Sequence, residues 1–340
     1  MAEPRLELSR ELILAFRRRV GTLDRRLPAG PESLRQAAWA GLQDSMPRAA
    51  LLSIHARVEE SHPESWADPA LVQVWGPRFS VYAVPKQDHA YFTLGRYPDD
   101  ARGRRVAEDA AARIRALVED RRIGHHDLGA ALGVNPNSLR YATTTGTVLI
   151  RWEGARQPTV WTVPRPEIEP FDARLELARR YLHVFGPTTP AKFADWAGIG
   201  AGQGAAAFDG LARELTAVTT PLGGSWILAS DEGDFRPAAA RPAPARLIPS
   251  GDTFYLLWGR DRELLVPDPK QRAELWTSRV WPGAVLVGGE VVGTWRRDGA
   301  NVSVQSWRRL EPAERQAVEA EAAALPLPAL TREIAVHWDS

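Results

Sequence analysis

A chain of 340 residues is long for one hydrophobic core and reads as about two or three compact units, and 44% hydrophobic with 25% charged residues is the composition of a folded globular protein rather than a disordered one. A formal net charge of +1 means that any nucleic-acid-binding face must be local, with acidic residues placed elsewhere. The lack of any apolar run near ~20 residues argues against a membrane span, the N-terminal Met1-Ala2-Glu3-Pro4-Arg5-Leu6 lacks the apolar stretch of a signal peptide, and the absence of cysteine excludes disulfides, thiolate metal sites and cysteine nucleophiles, so a cytoplasmic protein is expected.

Leu6, Leu8, Leu12, Ile13, Leu14 and Phe16 predict a first helix with a charged end at Arg17-Arg18-Arg19. A second is expected from about Glu32 to Leu42 and a third from about Arg48 to Glu59, followed by a strand at Arg78–Pro85 and a short helix from Gln87 to Leu94. Gln43, Asp44 and Ser45 then fall at a helix end before Pro47. Polar side chains at that place either cap the unpaired backbone groups or face a cleft.

Residues from about 103 to 164 carry the clearest modular pattern. Val106, Ala110, Ile114, Leu117 and Val118 predict an amphipathic helix, His126–Val134 a short helix closed by a turn, and Asn135-Pro136-Asn137-Ser138 the start of a third. Two strand-like runs, Thr147–Trp152 and Pro158–Val163, are joined by the polar turn Glu153–Gln157. Three helices followed by a hairpin describe a winged helix. The order returns at about 172–230, with helices at Leu175–Leu182, Thr189–Ala197 and Ala205–Leu215 and a hairpin at Leu222–Leu228, which points to a tandem array. Arg236–Arg246, with its prolines, reads as a linker. Beyond it, strands are expected at Phe254–Trp258, Ala284–Val287, Glu290–Trp295 and Val302–Trp307, then a helix from about Pro312 to Ala324 and a short tail. The expected fold class is thus mainly α with small β, an α+β protein.

A winged helix is first of all a duplex-binding scaffold, and Arg140, Arg151 and Arg156 are the phosphate candidates of the first clear copy; the same unit also serves as a protein-docking module. Lysine occurs only at Lys86, Lys192 and Lys270, so 40 of 43 basic residues are arginine. Arginine suits phosphate and base stacking, and a GC-rich genome would produce the same bias. The histidines show no His-Glu-x-x-His spacing, and Gly200-Ala201-Gly202-Gln203-Gly204 lacks the strand and lysine of a phosphate loop. No metal and no cofactor is expected.

The motif Gly41-Leu42-Gln43-x-x-x-Pro47-Arg48-Ala49-Ala50-Leu51-x-x-x-x-Ala56-Arg57 resembles the AlkZ/YcaQ family of tandem winged-helix DNA glycosylases. Val84-Pro85-x-x-Asp88-His89, Gly186-Pro187-Thr188 with Phe193-Ala194-x-Trp196-Ala197-Gly198, and Val285–Arg296 extend the likeness over about residues 30–325. The resemblance implies three tandem winged helices lining a channel for duplex DNA: residues 1–100 as a degenerate first unit carrying the Gln43 motif, 101–170 as the second and 171–235 as the third, with 246–325 as a C-terminal small β domain. It also implies hydrolysis of the N-glycosidic bond of alkylated or crosslinked purines by a monomer that is nucleoid-associated when bound to DNA. The family uses a Gln-x-Gln or Gln-x-Asp pair. Here Gln43 matches the first position, Ser45 occupies the second, and Asp44 takes the intervening apolar place, so Gln43, Asp44 and Ser45 are the catalytic candidates. Arg48, Arg57 and Arg78 join the arginines expected on phosphate. The substitution at Ser45 favours the alternative expectation, a non-catalytic winged-helix regulator or lesion sensor.

Overall fold

In the computed structural model, residues 6–44, 48–154, 156–236, 243–328, 330 and 332–339 are described, and they build three sheets with helices packed on and between them. The first hundred residues contain β1 (Leu6–Glu7), α1 (Arg10–Val20), α2 (Pro31–Ala37), β2 (Leu42–Gln43), α3 (Ala49–Arg57), β3 (Leu71–Trp75), β4 (Val81–Pro85) and α4 (His89–Thr93). They are followed by α5 (Ala101–Val118), β5 (Ile123–Gly124), α6 (His125–Leu132), a 3-10 helix at Pro136–Thr145, and the hairpin β6 (Val148–Arg151) and β7 (Thr159–Thr162). Next come α7 (Pro170–Phe185), α8 (Pro190–Ala197), α9 (Ala201–Gly210) and the hairpin β8 (Leu215–Thr220) and β9 (Gly223–Leu228). The last part holds β10 (Arg246–Ile248), α10 (Asp261–Leu265), α11 (Pro269–Leu275), β11 (Gly283–Val287), β12 (Glu290–Asp298), β13 (Asn301–Ser306), α12 (Pro312–Ala323) and β14 (Ala335–Asp339).

Local chemistry explains many of these boundaries. Ser9, Asp100, Thr189 and Asp268 each accept a backbone N–H in the first turn of the helix that follows, and Pro stands in the first turn of α7, α8, α11 and α12, where its missing N–H costs nothing.

The largest sheet has the order β2-β4-β3-β6-β7-β5, a second runs β1-β8-β9, and the third runs β10-β11-β12-β13-β14. Two pairings tie distant stretches together. Gln73 of β3 pairs with Ile150 of β6, so the first hundred residues and the hairpin after α6 share a sheet. β1 runs parallel to β8, and Leu8, Ile13 and Phe16 pack with Val218, Ile227 and Phe235 in one cluster. The chain's first helix thus packs on the stretch expected to form the third unit, where β8 and β9 cover its apolar stripe.

Other expectations are corrected by long-range pairing. α2 ends at Ala37, and Leu42–Gln43 form a strand instead of a helix end, since β4 supplies partners to their backbone. The expected strand at Phe254–Trp258 is a series of turns, in which the Asp252 carboxylate accepts the Phe254 amide 2.9 Å away. A buried apolar run reads alike as strand or turn until its partners are known. The last helix expected at Ala205–Leu215 is α9, and Leu215 instead opens β8. The expected tail contributes β14, which runs parallel to β13. Most of the expected linker, residues 237–242, lies outside the described residues, and Arg246 at its end belongs to β10.

Candidate active site around Gln43

The antiparallel register of β2 and β4 sets Leu42 opposite Ala83 and Gln43 opposite Tyr82. Side chains alternate across a strand, so Gln43 and Tyr82 share one face while Leu42 and Asp44 turn to the other. Gln43 is half-buried in the wall of a cleft of about 230 Å³, which Arg78, Tyr82, Gly251, Trp258, Arg279 and Trp281 also line.

Each wall of this cleft has an identifiable support. Gly251 sits at φ +82°, and a Cβ there would lie 3.5 Å from the Gln43 side chain, so the loop after β10 lies directly against Gln43. That loop is anchored from behind. Arg57 donates from Nη1 and Nη2 to the two carboxylate oxygens of Asp252 at 2.6 and 2.8 Å, and the Ser53 hydroxyl donates to Asp252 Oδ2 at 2.6 Å. On the other side, Arg78 and Phe79 both occupy the left-handed region, at φ 54° and 57°. Two such non-glycine residues in succession are held only by surrounding structure. Gly198 supplies part of it: a Cβ at that position would come within 3.0 Å of the Arg78 backbone. The exposed Arg78 guanidinium reaches the Asp195 carbonyl at 3.3 Å and lies 5.6 Å from the Trp258 ring centroid.

Asp44 does not face the cleft. It is fully buried, accepts the Ala50 amide at 3.0 Å and Gln73 Nε2 at 2.9 Å, and so caps the start of α3. Burial pushes its carboxyl up to about 7, against the opposing pull of these donors and of Arg48. The Gln73 amide continues the chain by accepting the Trp152 N–H at 2.6 Å, which links Asp44 to the turn between β6 and β7. The expectation that Asp44 is a catalytic group is therefore corrected, because a carboxylate with no exposed surface has no contact with a substrate in the cleft. Ser45 lies outside the described residues.

The expected arginines separate into groups. Arg48, at φ 68°, donates to the Glu153 carbonyl at 3.1 Å and stacks on Trp66 at 3.9 Å from the ring centroid. Arg151 lies 4.8 Å from the same ring and pairs with the Glu153 carboxylate at 3.0 Å. Arg140 is half-buried near Trp75, where burial lowers its pKa, and Arg156 is exposed in the hairpin turn. Arg57 is corrected: it is 2% exposed, with its guanidinium spent on Asp252, and is not available to a phosphate. Gly251, Trp258, Arg279 and Trp281 went unmarked in the sequence reading, and only the fold brings them to Gln43 across about two hundred residues of chain.

Among the described residues, no group of three or more His, Cys, Asp or Glu could hold a metal ion, and no helix is long and apolar enough to cross a membrane. Residues 37–326 match a family model described as DNA glycosylase AlkZ-like. The structure of Streptomyces sahachiroi DNA glycosylase AlkZ is similar, with a TM-score of 0.78 at 18% identity over 98% of this chain and 100% of that one, a likeness of fold. No curated protein sequence gives a match.

Proposed function

The chain belongs to the DNA glycosylase AlkZ-like family, and from that premise we propose that it binds duplex DNA and hydrolyses the N-glycosidic bond of alkylated purines, crosslinked ones included. The observation that carries this reading is the cleft itself: a side-chain amide, Gln43, half-buried between two tryptophans and two arginines, Trp258, Trp281, Arg78 and Arg279.

The chemistry suits these groups. An N7-alkylated purine is already cationic and leaves readily, so the protein has to orient a water and stabilise an oxocarbenium-like sugar. Gln43 would accept a hydrogen bond from that water and aim its oxygen at C1′. The C1′–N9 bond breaks with its electron pair going to the departing base, whose positive charge is thereby cancelled, and the water's proton passes to solvent. Trp258 and Trp281 offer faces on which an extruded base can stack, while Arg78 and Arg279 stand where backbone phosphates would pass. Arg48, Arg140, Arg151 and Arg156 extend this positive surface along the second unit.

In this reading α5, α6, the 3-10 helix and the β6–β7 hairpin form one winged helix, and α7, α8, α9 and the β8–β9 hairpin form another. Residues 1–100 form a degenerate first copy, 246–325 a small β domain, and the protein acts as a monomer on damaged DNA at the nucleoid.

A second reading, a lesion-binding protein without catalysis, is favoured by one observation: Asp44 turns away from Gln43, leaving the motif's second position to Ser45. One assay separates the two. A duplex containing N7-methylguanine is incubated with the protein, and free base and abasic sites are measured. Release that Gln43→Ala abolishes supports the glycosylase; tight, salt-sensitive binding with no release above background would overturn it.

A further inference from the structure

Next to the Gln43 cleft lies a second cavity of about 440 Å³, and Ser250, Val280 and Trp281 line both. These residues form a ridge between the two spaces. The far wall of the second cavity carries Trp295, Arg296 and Arg297 of β12. Arg296 braces the ridge by donating from Nη2 to the Val280 carbonyl at 3.1 Å.

Three features make this ridge unusual. Val280 is 47% exposed, a large apolar side chain held up to solvent. Arg279 stands on the cleft side of it and Arg297 on the other, both exposed, and among the described residues neither guanidinium has a hydrogen-bond or ion-pair partner. Asp298, the carboxylate of that wall, leaves the two arginines in excess.

An apolar crest between two unpaired guanidinium groups is complementary to a nucleic-acid strand crossing it, with phosphates to either side and base faces over the top. We propose that the second cavity seats the phosphodiester next to the damaged nucleotide, and that Val280 is the wedge that enters the base stack when the lesion turns into the Gln43 cleft. The inference rests on the glycosylase reading and adds to it the element that holds the duplex open. The adjacency of Val280 to Trp281 in the chain couples the two events: the residue that fills the gap is the neighbour of one that lines the cleft.

Fluorescence anisotropy with the full chain tests this, using one duplex with a tetrahydrofuran abasic analogue and one intact duplex. The gap in the first duplex removes the unstacking cost, so the wild-type protein should prefer it. Val280→Ala should reduce that preference by about tenfold, an apolar wedge being worth on the order of the unstacking it opposes. Arg297→Gln should weaken both duplexes alike and lower the slope of log K against log salt by about one. Both positions are exposed, and thermal melts check that both variants fold. An unchanged preference in Val280→Ala, or an unchanged salt slope in Arg297→Gln, overturns the proposal. If wild-type protein releases N7-methylguanine while these variants bind as it does, the wedge and phosphate site fall and the glycosylase stands. If wild-type protein neither binds nor releases, both fall.

Discussion

Arg57 of α3 and Asp252 of the loop after β10 form a bidentate ion pair buried to 2% and 0% side-chain exposure, and this pair holds the backbone that packs against Gln43. The motif's last arginine thus acts from behind the cleft. It fixes one wall of the site and touches no ligand.

Removing one partner of that pair strands a buried charge, which costs about 3–5 kcal/mol. Asp252→Ala should lower the unfolding free energy by that amount and reduce base release by displacing Gly251 from Gln43. Equilibrium unfolding in urea checks the first effect; a loss below about 1 kcal/mol, the range of an exposed pair, would show that the contact does not anchor the loop.

Gln43→Ala and Asp44→Asn should behave differently. Gln43 reaches the cleft, so its truncation should lower single-turnover base release on the order of a hundredfold or more with little change in melting temperature. Asp44→Asn keeps an acceptor for the Ala50 amide and should leave release within a few-fold of wild type. Loss of release in Asp44→Asn with unchanged stability would mean that the acid reaches the substrate after all.

Asp44 also makes stability depend on pH. Its carboxyl is raised from 3.8 to about 7 by burial, so between these values the native state keeps a proton that the unfolded chain has lost. Stability should therefore fall as pH rises through that window and level off above it. Denaturant midpoints of wild type and Asp44→Asn at pH 4.5, 6 and 7.5 test this: the fall seen in the wild type should be reduced in the variant.

His55 has the opposite sign. Burial first, then Arg26 and Arg246, hold its imidazole down at about 3 from the ordinary 6.5. Below pH 6.5 the unfolded state takes up a proton that the native state refuses, so this group should destabilise the protein progressively as pH drops toward 3. Its Nδ1 lies 2.8 Å from the Ser61 hydroxyl. His55→Asn, which cannot titrate, should flatten the acid limb of the stability profile; an unchanged limb would assign acid unfolding to other groups.

Much of this arrangement was legible in the chain. Helix spacing, the helix start at Asn135–Ser138 and the polar turn at Glu153–Gln157 marked the two helix-and-hairpin stretches, because caps, turns and apolar stripes act within a few residues. The motif at residues 41–57 singled out Gln43. The opposite orientations of Gln43 and Asp44 follow from strand alternation, yet the sequence pattern suggested a helix end, and β2 exists only because β4 pairs with it from some forty residues away.

What the sequence carried, then, was the helix-and-hairpin stretches, the family and the identity of the amide in the wall of the cleft. The tertiary structure decided what surrounds it. Arg57 reads as a phosphate ligand until Asp252, 195 residues away, takes its guanidinium, and Arg279, Trp258 and Trp281 join Gln43 only in the folded chain. The physical reason is range: propensities, caps and turns are settled by neighbours in sequence, whereas burial of a charge and the walls of a cleft depend on groups that meet only when distant strands and loops pack.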